Sequence, residues 1–161
     1  MKHSTNYQSP SFVVKDVNGN DVSLNDFKRK TIILDFWATW CGHCKKSFPA
    51  MQMAVNKYKD DSDVKFLFIH IWEQSKNPLE EATSYLESNG YTFDLYIDPK
   101  DSEGNSKAAL LFGVKGIPQK YVIDGGGVVR FNVTGFGGVD DAAVEELSLM
   151  IEYTKKMNNN N

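Results

Sequence analysis

Both cysteines of this 161-residue chain, Cys41 and Cys44, fall in one stretch, FWATWCGHCKKSFP. Two thiols three positions apart admit four chemistries. A structural zinc site takes four ligands, commonly from two such pairs; here there is no second pair, and His3 and His70 stand alone. Covalent haem attachment needs a histidine directly after the second cysteine, and Lys45 holds that place. An inert disulfide would close a very short loop, where a cross-link removes the least entropy from the unfolded chain. The fourth reading is a redox dithiol. The apolar run TIILDFWA before the pair predicts a buried strand. The spacing of Phe48, Met51, Val55 and Tyr58 after it predicts a helix. Cys41 then opens that helix, where the first amides lack internal partners and carry partial positive charge. A thiolate there is stabilised, so its pKa falls below the free value of about 8.5. Cys44 lies one turn further on the same side. It can attack a mixed disulfide at Cys41 and release the client.

The elements that must hold this pair are legible as patterns. FVVKDVNGNDVSL places Asn18-Gly19 between two β-prone runs and predicts an N-terminal hairpin. VKFLFIHIW predicts a second buried strand. Asn77, Pro78 and Glu80 predict a helix start, and Gly90 its end. TFDLYID predicts a strand and SKAALLF a short helix. QKYVID and VVRFNVTG, joined around Gly125, Gly126 and Gly127, predict a second hairpin. From Val139 onward, Ala143, Leu147, Ile151 and Thr154 mark one face of a closing helix. Pro49 falls inside the helix after the cysteines and is expected to kink it. Strands alternating with helices imply an α/β fold. A central mixed β-sheet is expected, parallel at its core with antiparallel edges, and with helices on both faces.

Length suggests one domain. At 41 % hydrophobic and 12 % aromatic residues, the chain can bury a core without disulfide staples. A net charge of −3 argues against a nucleic-acid partner, which usually needs a basic stripe. No apolar run approaches the ~20 residues needed to cross a membrane. Residues 1–8 read as a disordered polar lead, 9–155 as the domain and 156–161 as a disordered tail. The lead lacks the apolar core of a signal peptide. The chain is therefore expected either to be cytoplasmic or to have an export signal outside this sequence.

DFWATWCGHCK, followed by Pro49 and by Gly116-Ile117-Pro118, resembles the thioredoxin superfamily. SPSFVVKDVNGNDVSLNDFK and an extra strand–helix stretch between Ile69 and Asp98 resemble its TlpA/ResA-type thiol–disulfide oxidoreductases. The resemblance spans roughly residues 9–155. It implies a thioredoxin fold with an extra strand–helix insertion, and reversible exchange of protein disulfides with no bound cofactor or metal beyond the Cys41–Cys44 couple. It further implies protein thiols and disulfides as partners, a membrane-bound thiol reductant, and a place in the bacterial cell envelope or periplasm. A monomer is expected.

Several side chains take roles from the same resemblance. Gly42-His43 between the cysteines is similar to protein disulfide isomerases, where thioredoxins carry Gly-Pro. An imidazolium at His43 would favour the thiolate and make the disulfide a better oxidant; an exposed loop histidine of little effect is the alternative. Asp35 interrupts TIILDFW, and burial should raise its pKa. The matching aspartate of thioredoxins lies beneath the second cysteine, so Asp35 is expected to act as base for Cys44 through a water. An aspartate satisfied by backbone amides is the alternative. Glu73 corresponds to a glutamate near the cysteines in ResA-like proteins that helps set their acid–base behaviour, with a solvated loop glutamate equally open. His70 is expected to be packed or hydrogen-bonded in its strand, and Lys45 and Lys46 to be solvated. Ile117-Pro118 is expected to be cis, facing the cysteines, with the Ile117 backbone pairing to an extended client. Trp40 would form an apolar rim beside Cys41.

Two other functional classes compete with the dithiol enzyme. One is a thioredoxin-like binding module without turnover. The other is peroxide reduction, whose enzymes place a threonine a few residues before a single attacking cysteine. Thr39 is too close to Cys41 for that pattern.

Overall fold

The computed structural model describes residues 2–135 and 140–159. Among them, eight strands form one mixed sheet in the order β1-β8-β7-β4-β5-β6-β2-β3. Its centre is β4 (Thr31–Trp37), every residue of which is buried. Parallel to it runs β5 (Val64–His70), with Trp37 opposite His70. Beyond β5 lies β6 (Leu95–Ile97), also parallel. The antiparallel partner on the other side is β7 (Gln119–Ile123), followed by β8 (Val128–Thr134). The expected N-terminal hairpin is present as β2 (Val14–Lys15) and β3 (Asp21–Val22), with β2 closing onto β6.

Alternation along the strands sends side chains to two separate cores. Ile33, Trp37, Phe66, Phe68, Val122 and Phe131 meet α1 (Gly42–Tyr58), α2 (Pro78–Ser88) and α4 (Asp140–Asn159) on one face. Ile32, Leu34, Phe36, Leu67, Ile69 and Tyr121 meet Phe12, Val14 and α3 (Lys107–Phe112) on the other. Helices therefore cover both faces, and β6 with α2 forms the expected insertion. Aromatic rings stack in series beneath α1 and α2, with Phe68 and Phe93 at 3.9 Å and Tyr91 and Phe93 at 5.1 Å between centroids. α1 continues through Pro49, whose missing N–H removes one bond of the ladder without ending the helix.

Two boundaries differ from expectation. Residues Ser4–Gln8, expected to be disordered, form β1, an edge strand antiparallel to β8. Backbone pairing needs no apolar side chain, and the Thr5 hydroxyl adds a 2.7 Å bond to the Val129 carbonyl. At the other end α4 runs past residue 155 to Asn159. Asn158 docks on the hairpin turn: it accepts from the Gly125 amide at 2.6 Å and donates to the Thr31 hydroxyl at 3.1 Å. The expected helix start at Val139 lies outside the described residues.

Candidate active site

The two cysteines sit where β4 gives way to α1. The chain leaves the strand at Trp37 and turns through Ala38–Cys41, closed by the Cys41 amide donating to the Ala38 carbonyl at 3.1 Å. Cys41 is the N-cap of α1, and its sulfur accepts the Cys44 amide at 3.1 Å. One otherwise free donor of the first turn, the Cys44 amide, thus points at this sulfur, as a stabilised thiolate requires. Cys41 and Cys44 are joined as a disulfide in this structure. Cys44 is fully enclosed, whereas Cys41 keeps 5 % of its surface exposed. That narrow opening ranks them: an incoming sulfur reaches Cys41, and Cys44 reacts only with its neighbour.

Around the opening stand Trp40, 57 % exposed, the exposed first residues of α1, Gly42 and His43, and the partly buried Ile117. The Ile117-Pro118 bond is cis, as the resemblance implies. It brings the Ile117 carbonyl oxygen to 3.6 Å from the Cys41 sulfur. In the disulfide that sulfur carries no proton, so this is a contact rather than a hydrogen bond. Lys45 and Lys46 are both exposed, as expected, and the Lys45 Nζ also lies over the Tyr85 ring, 5.0 Å from its centre.

Asp35 lies at the middle of β4. Ile33 and Trp37, on its own face of the strand, belong to the apolar cluster that contains Cys44. Neither carboxylate oxygen has a hydrogen-bond partner among the described residues, so the expected alternative of backbone satisfaction does not hold. Burial pushes its pKa up to about 6, partly opposed by the nearby Lys120 ammonium. Lys120 stands directly opposite on antiparallel β7, with its Nζ 3.8 Å from Asp35 Oδ2 and itself buried. Reading the sequence alone missed this lysine. QKYVID shows a lysine in a strand, but only the β4–β7 register places it against Asp35.

Glu73 is buried rather than a solvated loop residue. Its Oε2 accepts the Thr39 hydroxyl at 2.5 Å and lies 3.2 Å from His70 Nε2. Its Oε1 accepts the amides of Gln74 and Ser75. Burial raises the carboxyl pKa, but Thr39, the Gln74 and Ser75 amides and His70 together outweigh it, and the group sits below its ordinary value. His70 is packed in its strand as expected, edge-on to Trp37 at 5.1 Å. Burial lowers its pKa more than Glu73 raises it. The ring is therefore neutral at neutral pH, and because a carboxylate only accepts, Nε2 carries the proton. Thr39 was not foreseen as Glu73's partner.

A family model described as the AhpC/TSA family matches residues 5–132. The chain is 31 % identical over 127 residues to the thiol-disulfide oxidoreductase ResA of Geobacillus thermodenitrificans, covering 79 % of this chain and 67 % of that protein. It is 30 % identical over 123 residues to the thioredoxin-like protein YneN of Bacillus subtilis, covering 76 % and 67 % respectively. Among solved structures, a provisionally assigned thiol:disulfide interchange protein DsbE from Chlorobium tepidum superposes with a TM-score of 0.74 at 29 % identity, covering 93 % of this chain and 96 % of that one. The likeness runs from the N-terminal hairpin through the cysteine pair to the second hairpin, and by it the chain belongs to the AhpC/TSA family, among the ResA-like thiol–disulfide oxidoreductases.

Proposed function

We propose that this protein exchanges disulfides with protein clients through the Cys41–Cys44 couple. The observation that carries the reading is the placement of Cys41 as N-cap, with the Cys44 amide donating to its sulfur. In the reduced protein the Cys41 thiolate attacks one sulfur of a client disulfide, and the other client sulfur leaves as a thiolate that takes up a proton. Cys44 then gives its proton to Asp35 through a water and attacks the Cys41 sulfur. The Cys41–Cys44 disulfide forms, and the second client sulfur departs. That sulfur takes up the Cys44 proton by way of Asp35 and water, so the client has gained two electrons and two protons, while the couple has lost two electrons and one proton and solvent has supplied the other. An external dithiol returns the couple to its reduced state. The two sulfurs suffice, so no further cofactor or metal takes part.

The extended client lies along Ile117, whose backbone pairs with it as an added strand would. The client is a protein, and the protein acts as a monomer in the bacterial cell envelope, re-reduced by a membrane-bound thiol partner. The thiol-disulfide oxidoreductase and thiol:disulfide interchange proteins that this chain is similar to support this reading, as does the resemblance to the TlpA/ResA type. No helix among the described residues is long and apolar enough to cross a membrane.

Titrating the couple against glutathione tests whether it is redox-active in the expected range. The same titration tests His43, which is exposed on the first turn of α1 where a positive charge favours the Cys41 thiolate. His43→Pro should make the potential more negative by tens of millivolts, a share of the roughly 90 mV that separates thioredoxins from disulfide isomerases. An unmoved potential would assign His43 no tuning role. A couple that neither oxidises nor reduces with glutathione would contradict the exchange reading itself.

A further inference from the structure

We propose that Glu73 is a positioning residue that fixes the Thr39–Trp40 turn, and with it the indole rim against which a protein client docks beside Cys41. This rests on the protein-disulfide reading above and adds the residue that determines its client contact.

The turn Ala38–Cys41 has Thr39 and Trp40 as its two central residues. Both are tied to the same neighbouring loop. The Thr39 hydroxyl donates to Glu73, and Trp40 Nε1 donates to the Trp72 carbonyl at 3.0 Å. That loop is itself held from two further sides. His70 at the end of β5 contacts the Glu73 carboxylate. From the segment before α3, the Trp72 amide donates to the Ser106 hydroxyl at 3.1 Å and Lys100 Nζ donates to the Glu73 carbonyl at 2.7 Å. Trp72 has φ of 55°, a left-handed conformation that costs free energy for a bulky residue. Such a conformation persists only where its surroundings over-determine it, and here it aims the carbonyl at the Trp40 indole.

A buried carboxylate is costly unless its acceptor sites are filled. Glu73 fills them with one donor from the turn, one from the strand and two from its own loop. Its single long-range hydroxyl partner is Thr39. The network therefore connects the rigid end of β5 to the turn that ends at the attacking cysteine. Trp40 is exposed on its outer side, so fixing the turn presents a preformed apolar wall and removes ordering cost from client docking. None of these groups has a part in the exchange steps set out above.

Steady-state reduction of insulin at varied insulin concentration, with dithiothreitol as the external reductant, tests this. Thr39→Val should raise KM for insulin about tenfold and change kcat by less than about twofold, and Thr39→Ser, which keeps the hydroxyl, should restore the wild-type KM. Glu73→Ala should match Thr39→Val, and the double variant should add nothing further. Thr39→Val exchanges the hydroxyl for a methyl of similar size, so it decides the matter even if Glu73→Ala fails to fold. An unchanged KM in Thr39→Val, or a loss confined to kcat, overturns the inference while leaving the exchange reading intact. Wild-type protein inert toward insulin overturns the exchange reading and this inference with it.

Discussion

Cys44→Ser should lose turnover by at least about 10³-fold and accumulate a covalent adduct with its client. The serine keeps the size of the side chain but cannot attack the mixed disulfide, so the reaction halts with the client bound at Cys41. Because Cys44 is fully enclosed, no external protein thiol replaces it easily, and the adduct should persist. Mass spectrometry of the reduced variant mixed with insulin should show the protein plus one insulin chain, or the whole of insulin, linked through Cys41 alone. Addition of dithiothreitol should release it. A binding module without turnover would give no covalent product, so the adduct separates these two classes. An adduct on Cys44 in a Cys41→Ser variant, at a comparable rate, would reverse the assigned roles.

Asp35→Asn should have two opposed effects. Asp35 is buried among apolar side chains, and its pKa rises from 3.8 to about 6 on folding. The folded protein therefore holds this proton more tightly than the unfolded chain does. The stabilising contribution is present below about pH 4 and is lost as pH rises through the window from about 4 to 6. Above that window the folded state carries a cost of about 3 kcal/mol from this group. The attraction of Lys120 is already contained in that value, so the asparagine is compared with the protonated aspartate it resembles. The variant should be more stable at pH 7 by up to about 3 kcal/mol, and the advantage should vanish near pH 4, measured by denaturant unfolding at both values. The same change should slow resolution of the mixed disulfide at pH 7 by about 10- to 100-fold. The wild-type resolution rate should rise with pH through an inflection near 6 that the variant lacks. A variant that is more stable and resolves at the wild-type rate would leave Asp35 without a role as base. Stability given up at one buried carboxylate for chemistry at its neighbour is a common trade at functional sites.

How much of this was legible in the residues follows from the range of each interaction. The cysteine pair, its helix and the strand before it are local, and TIILDFWATWCGHCK states them directly. The hairpins announce themselves through Asn18-Gly19 and the three glycines at 125–127. The N-terminal edge strand was invisible because β1 is held by backbone bonds to β8 that no side-chain pattern encodes. The end of α4 was misjudged for a related reason: Asn158 looks like tail composition until the turn at Gly125 is brought beside it. Asp35 could be picked out as a charge in an apolar run, whereas its countercharge Lys120 lies 85 positions away and appears only with strand register. Glu73 was visible only as a candidate near the cysteines, with its partners unnamed. Its engagement is with Thr39 and His70, a junction of three segments that no spacing rule within one of them reveals.

The central claim is that the Cys41–Cys44 couple passes electrons between an external dithiol and a protein disulfide. Insulin precipitation in the presence of dithiothreitol measures this directly. We expect the wild-type protein at micromolar concentration to shorten the lag markedly over dithiothreitol alone, and the Cys41→Ser variant to give the uncatalysed lag. Equal lags with and without the wild-type protein would contradict it.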